Sequence, residues 1–276
     1  MSVDAVVAVE AVGRVLSGST DGASNRNLID NPWFTVNQRG TADATTISGN
    51  GYFADRWQAT GSGVQRVAGG GINILGVAYH KLDNPGITGK TVTLSILYSD
   101  GVISSNTFEW TGTTFAKTFE YGTANIYPSA NQINVGAQSV NVTAIKLELG
   151  SVSTLANDAP PCFAEELAKC QRYLYVIKAP TSINLTLCAA NALDATNIYA
   201  GLAVPPQMRT PTLSLSSSSA IKCGTSSFTI TPSSVSMYGY SSGTATMKIL
   251  STSLTAGTTY RVGLTGGESI IFSAEL

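Results

Sequence analysis

In TVTLSILY, residues 91–98, apolar side chains alternate with hydroxyl side chains. Val92, Leu94, Ile96 and Tyr98 fall on one face at a period of two, and Thr91, Thr93 and Ser95 fall on the other. That pattern predicts a strand with one face in a core. It returns in VTAIKLELG, residues 142–150, where Ile145, Leu147 and Leu149 are expected to face in and Lys146 and Glu148 to face out. Further strand candidates lie at 72–79, 113–120 and 140–149, with turns at NPG (84–86) and SDG (99–101). The Gly-rich VAGGGI at 67–72 lacks the lysine of a phosphate loop and the spacing of a dinucleotide fingerprint, so it reads as a tight turn or bulge. Strands at this spacing predict an antiparallel sandwich.

Downstream, residues 158–174 predict a helix. Pro160 and Pro161 suit its start, and Phe163, Leu167, Cys170 and Leu174 recur on one side. Glu165 and Lys169 are spaced as a helical ion pair, and Glu165–Glu166 reads as solvated surface. The chain is then β again, with candidates at 184–190, 212–216, 226–231, 244–249, 258–264 and 269–274 and a hairpin expected around Gly266–Gly267. Upstream, Val3, Val6, Val7, Val9, Val12 and Leu16 make an imperfect helical stripe, and 17–25 reads as a link.

The expected fold class is therefore all-β. Its parts are an N-terminal helix and linker for oligomerisation or attachment (1–26), a first β-sandwich domain (27–157), a helix and junction strand (158–178), and a second small β-sandwich domain (179–276).

Composition narrows the function classes. The 276 residues are 43% hydrophobic and only 12% charged, about half the usual charged share. With 16 Lys+Arg against 17 Asp+Glu, no long basic patch exists to neutralise phosphates, so nucleic acid is not an expected partner. Apolar runs are too short to span a membrane, so no membrane insertion is expected. The N-terminus lacks the basic start and clean apolar stretch of a signal peptide, so if the protein acts outside a cell a route other than a standard secretion signal is expected. The cysteines, at 162, 170, 188 and 223, form no Cys-x-x-Cys pair and read as buried thiols or at most one disulfide. Cys162 and Cys170 on one helix would stand about 12 Å apart, too far to bridge.

For catalysis the sequence offers little, and no enzymatic activity or cofactor is expected. There is no GxSxG elbow and no HExxH. His80 has no nameable partner and reads as a packing histidine. Asp43, Asp55, Asp83, Asp100, Glu109 and Glu120 could supply a glycosidase pair only if the fold opposed two of them. Trp33, Phe34, Tyr52, Phe53 and Trp57 predict a buried aromatic cluster. Trp110, Tyr121 and Tyr127 sit in more polar stretches and are the candidate glycan contacts, since an exposed ring can stack on a sugar face.

Several segments resemble bacteriophage and prophage tail fibre and receptor-binding proteins. NLIDNPWFTVNQRG (27–40) and GYFADRW (51–57) are similar to the opening of their N-terminal module, through Asn27, Asn31, Phe34, Asn37 to Gly40, Tyr52, Asp55, Arg56 and Trp57. GKTVTLSI (89–96), IKLELGSVSTLAND (145–158), FAEELAKCQRYLYVI (163–177), MRTPTLSL (208–215) and the ending FSAEL follow in the same order. The junction departs from the usual paired tyrosines, reading Arg172-Tyr173-Leu174-Tyr175.

The resemblance implies a carbohydrate-binding-like jelly-roll for 27–157 and a virion component that is extracellular when acting. It also implies a homo-oligomer, commonly a trimer, with other tail or baseplate proteins and host surface polysaccharide as partners. The length fits a compact tip, adaptor or spike. A structural connector, collar or decoration protein is the alternative, and a tail polysaccharide depolymerase the second.

Overall fold

The computed structural model describes residues 24–83, 85–241 and 243–275. The helix expected at 3–16, and the expected link up to residue 23, lie outside the described residues. The chain forms two compact units, one ending at Glu166 and one beginning at Leu167.

The described strands of the first unit, β1 to β12 in chain order, form two six-stranded antiparallel sheets. One runs Thr46–Ile47 (β1), Val64–Arg66 (β4), Ile72–Ile74 (β5), Val142–Leu149 (β12), Thr91–Tyr98 (β7) and Ile103–Glu109 (β8). The other runs Gly51–Ala54 (β2), Trp57–Thr60 (β3), Val77–Lys81 (β6), Gln132–Gln138 (β11), Gly122–Tyr127 (β10) and Phe115–Phe119 (β9). Val92, Leu94, Ile96 and Leu147 from the first sheet and Phe53, Trp57, Ile126 and Ile133 from the second belong to one buried cluster. The first unit is thus a sandwich, as the alternation predicts. VAGGGI makes the tight turn between β4 and β5. Gly71 has φ +81°, and a Cβ there would meet the Val142 carbonyl at 2.6 Å, so only glycine fits.

The outer face of the β12–β7 pair departs from expectation. Lys146, Glu148, Thr93 and Ser95 are buried, while Leu149 is 48% exposed. After β12 the chain folds back over that face. Ser95 Oγ donates to Ser153 Oγ at 2.8 Å, Thr93 Oγ1 to the Gly150 carbonyl at 2.8 Å, and Thr107 Oγ1 to the Ser151 carbonyl at 3.1 Å. A face written for water by its own alternation is sealed by a later segment.

The only α-helix among the described residues, α1 (Phe163–Gln171), is shorter than 158–174. It begins after Pro160 and Pro161, and its successor Leu174–Lys178 (β13) is already strand. Phe163 is 56% exposed, and Glu166, expected at the surface, is 1% exposed.

The second unit, expected as a small sandwich, consists of three three-stranded antiparallel sheets around one core. These are β13 with Ser269–Ser273 (β21) and Thr212–Leu215 (β16); Leu185–Asn191 (β14) with Thr259–Leu264 (β20) and Ile221–Gly224 (β17); and Asn197–Ala203 (β15) with Thr244–Leu250 (β19) and Ser234–Ser241 (β18). The stretch 226–231 is no strand and makes only an isolated bridge, Cys223 to Ile230. Gly266–Gly267 is a turn but not a hairpin, because β20 and β21 join different sheets. The turn is held to an upstream segment instead, with Gly267 N–H donating to the Pro180 carbonyl at 3.0 Å.

The four cysteines are free thiols. Cys188 and Cys223 both lie in register with Val262, on opposite sides of β20. Two strand spacings, about 9.6 Å, separate them, beyond the reach of a disulfide.

Candidate functional site

The residues of the 27–57 resemblance meet in one place, and their work there is internal. Asn27 lies along β12, its Oδ1 accepting from Leu147 N–H at 3.1 Å and its Nδ2 donating to the Ile145 carbonyl at 3.1 Å. Asn31 is fully buried. Its Nδ2 donates to the Val36 and Asp55 carbonyls at 2.8 and 2.9 Å, and its Oδ1 accepts from Val36 N–H at 3.0 Å. Its own carbonyl accepts from Trp57 Nε1 at 3.0 Å, and its N–H donates to Glu166 Oε1 at 2.5 Å. That last bond is why Glu166 is buried. Asp55 accepts from Gln38 N–H and Gln38 Nε2 at 2.9 and 2.7 Å, and Arg56 donates to the Lys81 carbonyl at 2.7 Å. The motif bolts the entering chain to the sandwich.

The expected aromatic cluster closes around this lock. Phe34 stands 5.1 Å from Trp57 and 6.1 Å from Phe53, ring centre to ring centre. Trp33 and Tyr52 are half-buried, and Tyr52 lies under the Arg39 guanidinium at 4.0 Å.

His80 packs edge-on against Trp57 at 5.0 Å. Burial first, then the Arg56 charge, hold its pKa well below the ordinary histidine value, opposed only by the Asp30 backbone. Its neutral form is the one the fold accepts. The sign follows: the unfolded chain takes up the proton first, so His80 lowers stability as pH falls below about 6.5. Urea midpoints of the wild type and His80→Phe should therefore diverge between about pH 7.5 and about pH 5, the wild type losing more. Parallel curves would show that the imidazole is free to charge in the folded state.

The three candidate glycan aromatics are not one platform. Trp110 is 1% exposed. Pairing of β8 with the start of β7 continues to it, through Trp110 N–H to the Lys90 carbonyl at 2.8 Å and Gly89 N–H to the Trp110 carbonyl at 2.9 Å. It therefore shares the inward face of Phe108, two residues earlier. Tyr121 is half-buried, edge-on to Tyr98 at 4.7 Å, with its hydroxyl donating to Asp100 Oδ2 at 2.6 Å. Tyr127, also half-buried, ends β10. Tyr121 and Tyr127 flank one strand and lie about 20 Å apart.

Trp110 does belong to a cleft. Three loops meet at one end of the sandwich, after β6, β8 and β10, and enclose about 240 Å³ walled by Thr88, Trp110, Thr111, Gly112, Ser129 and Asn131. Trp110 Nε1 has no hydrogen-bond partner among the described residues. Beyond the 85–90 loop lies a second cleft of about 370 Å³, and Gly86 lines both. The sequence reading missed the second cleft and every wall of the first except Trp110. Small turn residues carry no signal of their own until the fold gathers them.

The acidic candidates do not gather as one group, although Asp100 and Glu120 both lie near Tyr98 and Tyr121. They raise the pKa values of both, second to burial at Tyr98 and chiefly through the Asp100 hydrogen bond at Tyr121. Asp43 pairs with Arg66 at 3.5 Å, Asp55 belongs to the entry lock, and Asp100 holds its own turn through Val102 N–H at 3.0 Å. Asp83 is half-buried, and Glu109 and Glu120 are exposed. Among the described residues no three His, Cys, Asp or Glu side chains gather as a metal site.

No protein-family model, curated protein or solved structure matches the chain.

Proposed function

We propose that the chain is a bacteriophage tail tip or baseplate-associated subunit whose first unit is a carbohydrate-binding-like jelly-roll that contacts host surface polysaccharide. The reading begins from the ordered resemblance. The observation that carries it further is the cleft at the end of the sandwich. Loops on a rigid β scaffold make a fixed pocket. This one offers the hydroxyls of Thr88, Thr111 and Ser129 and the amide of Asn131, groups that hydrogen-bond to a sugar, over a floor backed by the buried Trp110 ring. Attachment is then multivalent and reversible. Weak sites on an oligomer, expected to be a trimer of 28.7 kDa chains, act together through avidity.

Thr88 and Ser129 are exposed at the mouth of the cleft, so long side chains there fill it without touching the core. Thr88→Met with Ser129→Met should lower binding to polysaccharide fragments by about 10-fold or more at unchanged thermal midpoint. Binding is read by glycan array and calorimetry. Retained affinity removes the cleft from the reading. A wild-type protein that binds no fragment yet co-assembles with tail proteins supports the connector reading instead.

A further inference from the structure

The second cleft differs from the first in charge. Arg26 and Lys90 both line it, and none of its described lining residues is acidic. Both side chains are exposed, and neither has an ion pair or hydrogen bond among the described residues. In a chain with only 12% charged residues, two unpaired cations in one cleft repel each other, and an anion between them relieves that repulsion. Arginine and lysine are also the side chains that hold carboxylate and phosphate by charge-assisted hydrogen bonds. Apart from Asn25, the remaining side chains of the wall are apolar, Leu28, Ile87 and Leu149 among them, and suit the C–H face of a sugar ring. Its volume falls within the range of about 300–1,000 Å³ usual for ligand pockets.

Gly86 joins the two clefts. A Cβ built there would meet nothing within 4 Å, so the ridge between them is open to a chain lying across it.

We infer that the ligand is an acidic saccharide, whose carboxylate or phosphate lies between Arg26 and Lys90 while a neutral unit of the same chain occupies the Trp110 cleft. This rests on the saccharide reading of the first cleft and names its substrate class.

The test uses the full chain on an array of neutral, uronate-containing and phosphate-bearing bacterial polysaccharide fragments. The variants are Arg26→Gln with Lys90→Gln, and the blocking pair Thr88→Met with Ser129→Met, which should weaken neutral and acidic fragments alike. Acidic fragments should bind at least about 10-fold more tightly than neutral ones, and the glutamine pair should abolish that preference while sparing neutral binding. Raising salt from about 0.05 to about 0.5 M should weaken only the acidic fragments. The uronate and phosphate arms identify the anionic group. Acidic fragments bound no better than neutral ones, or unaffected by the glutamine pair, overturn the inference and leave the saccharide reading standing. No fragment bound at all overturns both.

Discussion

Lys146→Met should lower the unfolding free energy of the sandwich by about 3–5 kcal/mol, the usual cost of stranding a buried carboxylate. Lys146 and Glu148 have fully buried side chains, with Lys146 Nζ 3.7 Å from Glu148 Oε2 and 2.8 Å from Asp158 Oδ1. The ammonium also donates to Ser24 Oγ at 2.6 Å and Thr154 Oγ1 at 2.8 Å. Thr154 returns its N–H to Glu148 Oε1 at 2.8 Å and its hydroxyl to Glu148 Oε2. Methionine fills the stem's volume but leaves Glu148 without a counter-charge. Lys146→Met with Glu148→Leu should recover much of the loss, because the desolvation cost of both charges disappears together. The three tryptophans, at 33, 57 and 110, all lie in the first unit, so urea unfolding followed by indole fluorescence reports on it. A single-variant loss below about 1 kcal/mol would mean that water reaches the pair as it reaches surface ion pairs.

The same pair marks the limit of what alternation can say. In β7 and β12 it identified the inward faces through Val92, Leu94, Ile96, Ile145 and Leu147, all of which are buried. It could not say that the outward face would also be covered. Charge and hydroxyl groups mark the side that is not the core, and the covering segment 150–158 lies later in the chain. Strands β15 and β18 in the second unit escaped notice for a related reason. Their exposed faces carry Tyr199 and Tyr238, which pack edge-on at 4.7 Å, and an aromatic outward face blurs the period-two contrast. The cleft was least legible. Trp110 drew attention as an aromatic in a polar stretch, yet its ring is buried and the exposed walls come from Thr, Ser and Gly.

Asn31→Ala should be as damaging as the loss of Lys146, and it tests whether the 27–57 motif is scaffold. Alanine removes three hydrogen bonds at once and leaves Val36 N–H and the Val36 and Asp55 carbonyls without that partner. The stranded Val36 N–H costs about 1–3 kcal/mol and each of the two other lost bonds about 1 kcal/mol, the Val36 carbonyl keeping Asp55 N–H at 3.1 Å. Asn31 also sits at φ 53°, a left-handed conformation that asparagine tolerates and alanine pays about 1 kcal/mol or more to adopt. The sum is about 4–6 kcal/mol. Asn31→Gly relieves the backbone strain alone and should regain only about 1 kcal/mol.

Asn31→Asp keeps the shape but sets a carboxylate oxygen against two carbonyls, so it should be worse than alanine near neutral pH and improve on acidification as that oxygen gains a proton to donate. A fully stable alanine variant would show that the lock is redundant. The consequence reaches the clefts through the chain itself. Asn31 anchors the segment that includes Arg26 and Leu28, while Arg56, the neighbour of Asp55, holds the Lys81 carbonyl where the loop to Gly86 begins. Weakening the lock should therefore loosen both walls of the second cleft before the sandwich unfolds, which hydrogen exchange at Leu28 and Gly89, whose N–H groups bond the Leu147 and Trp110 carbonyls, can follow directly.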